Sequence, residues 1–192
     1  MFFSGMKNLA IFASGNGSNA EAIIEYFKDK PNVKVVLVLT GNPKAGVLKI
    51  AHQHKVISTI VSKEALQNEE VMNKLLGALG VDFIALAGFL QMVPAYLLKK
   101  YPNRIVNIHP ALLPKFGGAG MYGLRVHEAV LAAGETETGM SIHYVNERYD
   151  EGEIILQKKV TISASETPEQ IAGKVKELEH EWYPKVIDGL LA

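Results

Sequence analysis

The chain has 192 residues, 48% hydrophobic and 21% charged, and its 20 Lys and Arg balance 20 Asp and Glu to a formal net charge of zero. That composition suits a single globular domain over 1–192 with a sizeable core, and the neutral balance without a basic cluster sets aside nucleic-acid and membrane-surface partners. The lack of cysteine excludes disulfides, thiolate metal sites and a cysteine nucleophile, and it fits a reducing cytoplasm.

Met1-Phe2-Phe3-Ser4-Gly5 is too short and too uncharged for a signal peptide and reads as a ragged start before Met6. No apolar run reaches the roughly 18 residues that span a bilayer. Residues 9–13 read as a buried strand, followed by a Gly/Ser/Asn turn and an amphipathic helix over 20–27. The nearly pure Val and Leu of 33–39 suit a central parallel strand buried on both faces. A helix over 45–54 and a short strand over 58–61 follow. Asn68 can cap a helix running to 79, with Gly80 just beyond. A strand over 83–86, a helix over 94–100 that begins at proline, and a strand over 105–108 continue the rhythm. Repeated βα units imply a right-handed, mostly parallel sheet with helices on both faces. The expected fold class is therefore α/β: a three-layer, Rossmann-like twisted sheet.

After Pro114 the pattern changes. Four glycines in 116–123 make a loop, and a short helix over 126–133 ends at Gly134. Strands over 141–145 and 154–162 form an antiparallel pair at the sheet edge. Thr167-Pro168-Glu169-Gln170 is a capping box with proline at the first helical position, opening a long C-terminal helix over 168–188, bent at Pro184.

Four groups carry chemistry. Ser14-Gly15-Asn16-Gly17-Ser18-Asn19 lies between the first strand and first helix, where backbone N–H groups and the helix dipole favour an anion. With Ala20 it satisfies the dinucleotide fingerprint, but no carboxylate follows at Leu39-Thr40-Gly41-Asn42, so a phosphate monoester fits better than NAD. A plain tight turn with a helix cap accounts for the same residues.

Asn107 and His109 alternate with Val106 and Ile108 and so point the same way at a strand end that Pro110 terminates. An amide can donate to an oxyanion and an imidazole can carry a proton; a satisfied core pair is the alternative. Asp150, on the connection Tyr149-Asp150-Glu151-Gly152, can fold back beside His109 and favour its imidazolium. Lys176 and Glu179, three apart, share one face of the last helix and can hold phosphate and amine, or form a solvated ion pair. Zinc ligand spacing and a G-x-S-x-G elbow are both missing, so a metal and a serine nucleophile are not expected.

These strings, with Leu86-Ala87-Gly88-Phe89, Asn107-Ile108-His109-Pro110-Ala111-Leu112-Leu113-Pro114 and Glu179-His180, resemble the phosphoribosylglycinamide formyltransferases of the wider formyltransferase family. The likeness runs from about Lys7 to the C-terminus. It implies transfer of a formyl group from 10-formyltetrahydrofolate, as cosubstrate and without metal, to the amine of 5′-phosphoribosylglycinamide. It further implies Asn107, His109 and Asp150 as the catalytic trio. Gly15, Gly17, Ser18, Asn19 and Lys176 would bind the phosphate, Glu179 the amine end, and Ile108 and Pro110 would line that side. Leu90, Gln91, Met92 and Val93 would meet the pterin, with Asn107 and the loop holding Glu147, Tyr149 and Asp150 completing the folate site. The partners implied are small molecules, for a monomer or a homodimer. A formyltransferase for another amine, such as a nucleotide sugar, and a non-catalytic nucleotide-binding protein remain alternatives.

Overall fold

The short apolar runs become strands and the segments between them helices: β1 (Lys7–Phe12), α1 (Ser18–Phe27), β2 (Val33–Thr40), α2 (Val47–Gln53), β3 (Ser58–Ile60), α3 (Lys63–Gln67), α4 (Glu69–Ala78), β4 (Phe83–Leu86), α5 (Ala95–Lys100), β5 (Ile105–His109), α6 (Leu124–Ala132), β6 (Glu137–Tyr144), β7 (Ile154–Thr161) and α7 (Pro168–Leu191). The computed structural model describes residues 5–192, so the reading of Met1 to Ser4 lies outside the described residues.

One seven-stranded sheet runs in the order β3-β2-β1-β4-β5-β6-β7. β3, β2, β1, β4 and β5 are parallel, while β6 runs antiparallel to both β5 and β7. Alternation along the strands sorts the interior into two layers. Leu9, Ile11, Val38, Ala85, Val106 and Met140 face α1, α2, α6 and α7, while Ala10, Phe12, Leu37, Leu39, Ile84 and Ile105 face α3, α4 and α5. The sheet is therefore buried on both sides, as its Val/Leu-rich strands require.

Three departures from the sequence reading are larger than a shift of two residues at an element's end. β6 begins at Glu137 rather than 141, because Glu137, Thr138, Gly139 and Met140 find partners in Thr161, Val160, Lys159 and Lys158. A short helix, α3, forms where none is expected, capped by the Ser62 hydroxyl accepting from the Ala65 N–H and anchored by buried Leu66. α7 continues unbroken through Pro184 to Leu191, because Ile187 and Leu191 keep its apolar face in the core.

Two features prepare the site. The strand order reverses between β1 and β4, so the loops after these strands diverge and leave a crevice at their carboxyl ends. Tyr183 of α7, fully buried, donates its hydroxyl between the Leu86 carbonyl (2.8 Å) and the Val106 carbonyl (3.1 Å), tying the helix to β4 and β5. Glu179 and Lys176 are four and seven residues before Tyr183, one and two helical turns toward the N-terminus.

Candidate active site

A cavity of about 590 Å³ occupies the crevice. Its walls include Gly15, Ser18, Asn19, Leu90, Asn107, Ile108, His109, Pro110, Tyr149, Asp150, Lys176 and Glu179, residues from five separate stretches of chain. A second cavity of about 60 Å³ adjoins it, lined by Gln91, Met92, Val93, His143 and Arg148, and Asn107, Tyr149 and Asp150 border both. Glu147 lines neither cavity. Gly17 also stands outside the wall. It adopts φ 85° and packs against Val47, where an added Cβ would come within 2.8 Å of the Val47 Cα, so its part is to let the turn close.

At one end α1 starts without any side-chain cap. Its first N–H groups and the positive end of its dipole therefore stand open to an anion, with Lys176 on the same cavity wall. Asn19 turns its amide to Glu179, donating from Nδ2 to Oε2 at 2.9 Å. Burial pushes the Glu179 carboxyl above the ordinary carboxylate value, against the opposing effects of Asn19 and Lys176. The Asn19 Oδ1 is buried without a partner.

At the other end Asn107, His109 and Asp150 meet. Asp150, held at φ 56° on the β6–β7 connection, places Oδ1 3.3 Å from the Asn107 Nδ2 and Oδ2 3.4 Å from the His109 Nδ1. The Gly118 N–H donates to Asp150 Oδ2 at 2.9 Å. His109 Nε2 lies 2.8 Å from the Phe116 carbonyl, which can only accept, so this nitrogen carries a proton.

His143 joins the group, and sequence reasoning missed it. It lies opposite Asn107 across the β5–β6 ladder. Its Nδ1 lies 2.8 Å from the Tyr144 carbonyl and must donate there, which leaves the Nε2 lone pair for the Asn107 Nδ2–H at 3.1 Å. Both amide hydrogens of Asn107 thereby have acceptors, and turning the amide over would set its oxygen against Asp150. The available signal was the polar pair Ser141 and His143 alternating with buried Met140 and Ile142, but the partner strand had to be known to use it. His127 of α6 also reaches the cavity wall.

Asp150 acts to favour the His109 imidazolium, in the direction the sequence suggests, but it is not the largest influence on the ring. Burial pushes the ring below the ordinary imidazole value and outweighs the opposing influence of Asp150 and of the Phe116 carbonyl. Burial also acts to raise Asp150, but the neighbouring His143 and His109 rings, whose protonation would favour the carboxylate, and the Gly118 N–H together hold it below the ordinary carboxylate value. The pair is therefore a carboxylate beside an imidazole poised to accept a proton at Nδ1.

Comparison with known proteins gives this geometry a family. The formyl transferase family model matches residues 7–187. The chain belongs to the formyl transferase family. This chain is 37% identical to the phosphoribosylglycinamide formyltransferase of Bacillus subtilis, over 97% of its own length and 95% of that relative's. It is 41% identical to the chloroplastic phosphoribosylglycinamide formyltransferase of Arabidopsis thaliana, covering 96% of this chain but only 65% of the plant protein. Among solved structures, phosphoribosylglycinamide formyltransferase from Bacillus halodurans superposes with a TM-score of 0.86 at 38% identity, over 97% of this chain and 96% of that one. Among the described residues, no cluster of His, Asp and Glu could hold a metal ion and no helix is long and apolar enough to cross a membrane.

Proposed function

We propose that the chain transfers the formyl group of 10-formyltetrahydrofolate to the primary amine of 5′-phosphoribosylglycinamide. The observation that carries this reading is the union, in one cavity of about 590 Å³, of an uncapped helix N-terminus with an amide–imidazole–carboxylate cluster. That volume lies within the usual range for small-molecule sites. The phosphate is held by the start of α1, with Gly15, Ser18 and Asn19, and by Lys176. Glu179, Ile108 and Pro110 flank the ribonucleotide, while Leu90, Gln91, Met92 and Val93 with Tyr149 border the folate side. The formyl carbon sits at the border of the two cavities, beside Asn107 and Asp150.

The amine attacks the formyl carbon, and the carbonyl electron pair moves to oxygen. Asn107 Nδ2 exchanges its loose 3.3 Å bond to Asp150 for one to that oxygen. The attacking nitrogen loses a proton to His109 Nδ1, and the carboxylate of Asp150 stabilises the imidazolium so formed. The carbonyl then re-forms, the bond to the folate nitrogen breaks, and His109 returns its proton to that nitrogen. Long contacts of 3.3–3.4 Å within the free cluster suit groups that tighten only around a reacting ligand.

The direct test mixes purified protein with both substrates and follows the folate absorbance change alongside product mass. Formyl transfer that needs both the ribonucleotide and the formyl folate is the expected result. Transfer to a nucleotide sugar amine instead, or no folate binding at all, would replace this reading with one of its alternatives.

A further inference from the structure

Three consecutive backbone units, Phe116, Gly117 and Gly118, touch two of the three side chains that the proposed chemistry uses. The Phe116 carbonyl takes the His109 Nε2–H at 2.8 Å, and the Gly118 N–H reaches Asp150 Oδ2 at 2.9 Å. Between them Gly117 passes directly over Asp150. A Cβ at Gly117 would stand 3.2 Å from the Asp150 Cβ and 2.5 Å from the Leu113 Cδ2. The chain reaches this path through a Phe116 held at φ 57°, a conformation that an L side chain seldom adopts, and leaves it through Gly118 at φ 96°.

We infer that the 116–118 backbone is a positioning element of the reaction, and that Gly117 is the residue that permits it. A carbonyl accepts and cannot donate, so its bond to His109 Nε2 selects one ring tautomer. That choice leaves Nδ1, the atom facing Asp150, as the one free to gain and lose the proton. The Gly118 N–H fixes the carboxylate oxygen that receives the resulting N–H. Without these two bonds a neutral His109 divides between tautomers, and the form with its proton already on Nδ1 cannot accept one there. Gly117 thus acts through His109 and Asp150 and touches no substrate. The inference rests on the proposed proton transfer, although the tautomer claim stands apart from it.

The test uses the full chain in two stages. Nitrogen-15 NMR of the His109 ring, with no ligand present, reads the tautomer of the parent and of Gly117→Ala. The parent should carry its neutral proton on Nε2, and Gly117→Ala should show a mixture. A parent with its proton on Nδ1, or a variant with an unchanged tautomer, overturns the inference whether or not the chain transfers formyl groups. Steady-state kinetics follow. Gly117→Ala should lose at least about tenfold in kcat, a change of ~1.4 kcal/mol, with KM for both substrates within about twofold. Its acid limb should move to lower pH, because His109 loses an acceptor that favours its charged form. The double variant Leu113→Ala/Gly117→Ala removes the Leu113 collision and keeps the tight 3.2 Å contact with the Asp150 Cβ. It should fold like Leu113→Ala and stay slow; recovery to the Leu113→Ala rate would assign the loss to packing and refute the positioning role. A parent that transfers no formyl group but shows the expected tautomer defeats the proposed function and leaves the positioning geometry intact.

Discussion

At the α1 end of the cavity polar groups stand unclaimed: the helix begins without a side-chain cap, Asn19 keeps an unpartnered acceptor at Oδ1, and Glu179 is buried with a single amide partner. At the β5 end the donors of Asn107 and His109 are committed. Asn107 gives its hydrogens to His143 and Asp150, and His109 gives Nε2–H to Phe116. The difference separates two tasks. A site that only has to hold an anion can wait with its N–H groups open to water, because the dipole and the cation do not depend on side-chain orientation. A site that must pass a proton needs a defined tautomer and amide orientation beforehand, and internal hydrogen bonds supply both.

The sharpest way to break this division is to damage each end and ask which kinetic constant responds. Asn107→Ala removes the oxyanion donor and should lower kcat by about 10²–10³, with little change in either KM. A variant that turned over normally would remove Asn107 from the chemistry. Lys176→Met, at the other end, should raise KM for the ribonucleotide by about tenfold, ~1.4 kcal/mol, and leave KM for the folate unchanged. Steady-state titration of each substrate in turn separates these outcomes, and a Lys176→Met defect confined to the folate would exchange the two ligand assignments. The mildest effect belongs to the frame that holds both ends together. Tyr183→Phe deletes the hydroxyl shared by the Leu86 and Val106 carbonyls and should destabilise the fold by about 1 kcal/mol, a fall of roughly 2–4 °C in Tm. Calorimetry checks this, and an unchanged Tm would mean that the buried bond adds nothing net.

The fold was legible in this sequence to the extent that burial on both faces writes a strand as a nearly continuous apolar run. Val33 to Leu39 and Ile105 to Ile108 announce themselves that way, and so does the capping box at Thr167, which is present with both reciprocal bonds. β6 was legible only from Ser141 onward, since Glu137-Thr138-Gly139 has no strand-like composition and is recruited by pairing with β7. α3 was invisible because one buried residue, Leu66, shows no periodicity. Within the site, Asn107 and His109 could be placed together by strand alternation alone, and they do share one end of β5. Asp150 could be named but not located, because its approach depends on a left-handed backbone at a loop position. His143 and the 116–118 backbone were out of reach for a related reason: their roles arise from cross-strand register and from main-chain atoms, which carry no residue-type signal. The net direction of the His109 shift was out of reach as well: proximity to a carboxylate raises an imidazole pKa, but the depth of burial, unknown until folding, lowers it more.

The central claim is that neutral His109, backed by ionised Asp150, takes the proton of the attacking amine. Burial lowers the His109 pKa, so the ring becomes an acceptor below pH 6.5, and activity should rise as pH climbs through that lowered value. Replacing Asp150 removes the charge that raises His109, so Asp150→Asn should lower the plateau by about 10² or more and carry the acid limb to still lower pH. The pH dependence of kcat/KM for the parent and Asp150→Asn is the measurement that decides it. An acid limb that moves to lower pH in the variant supports the account; a limb that Asp150→Asn leaves in place, or carries to higher pH, contradicts it.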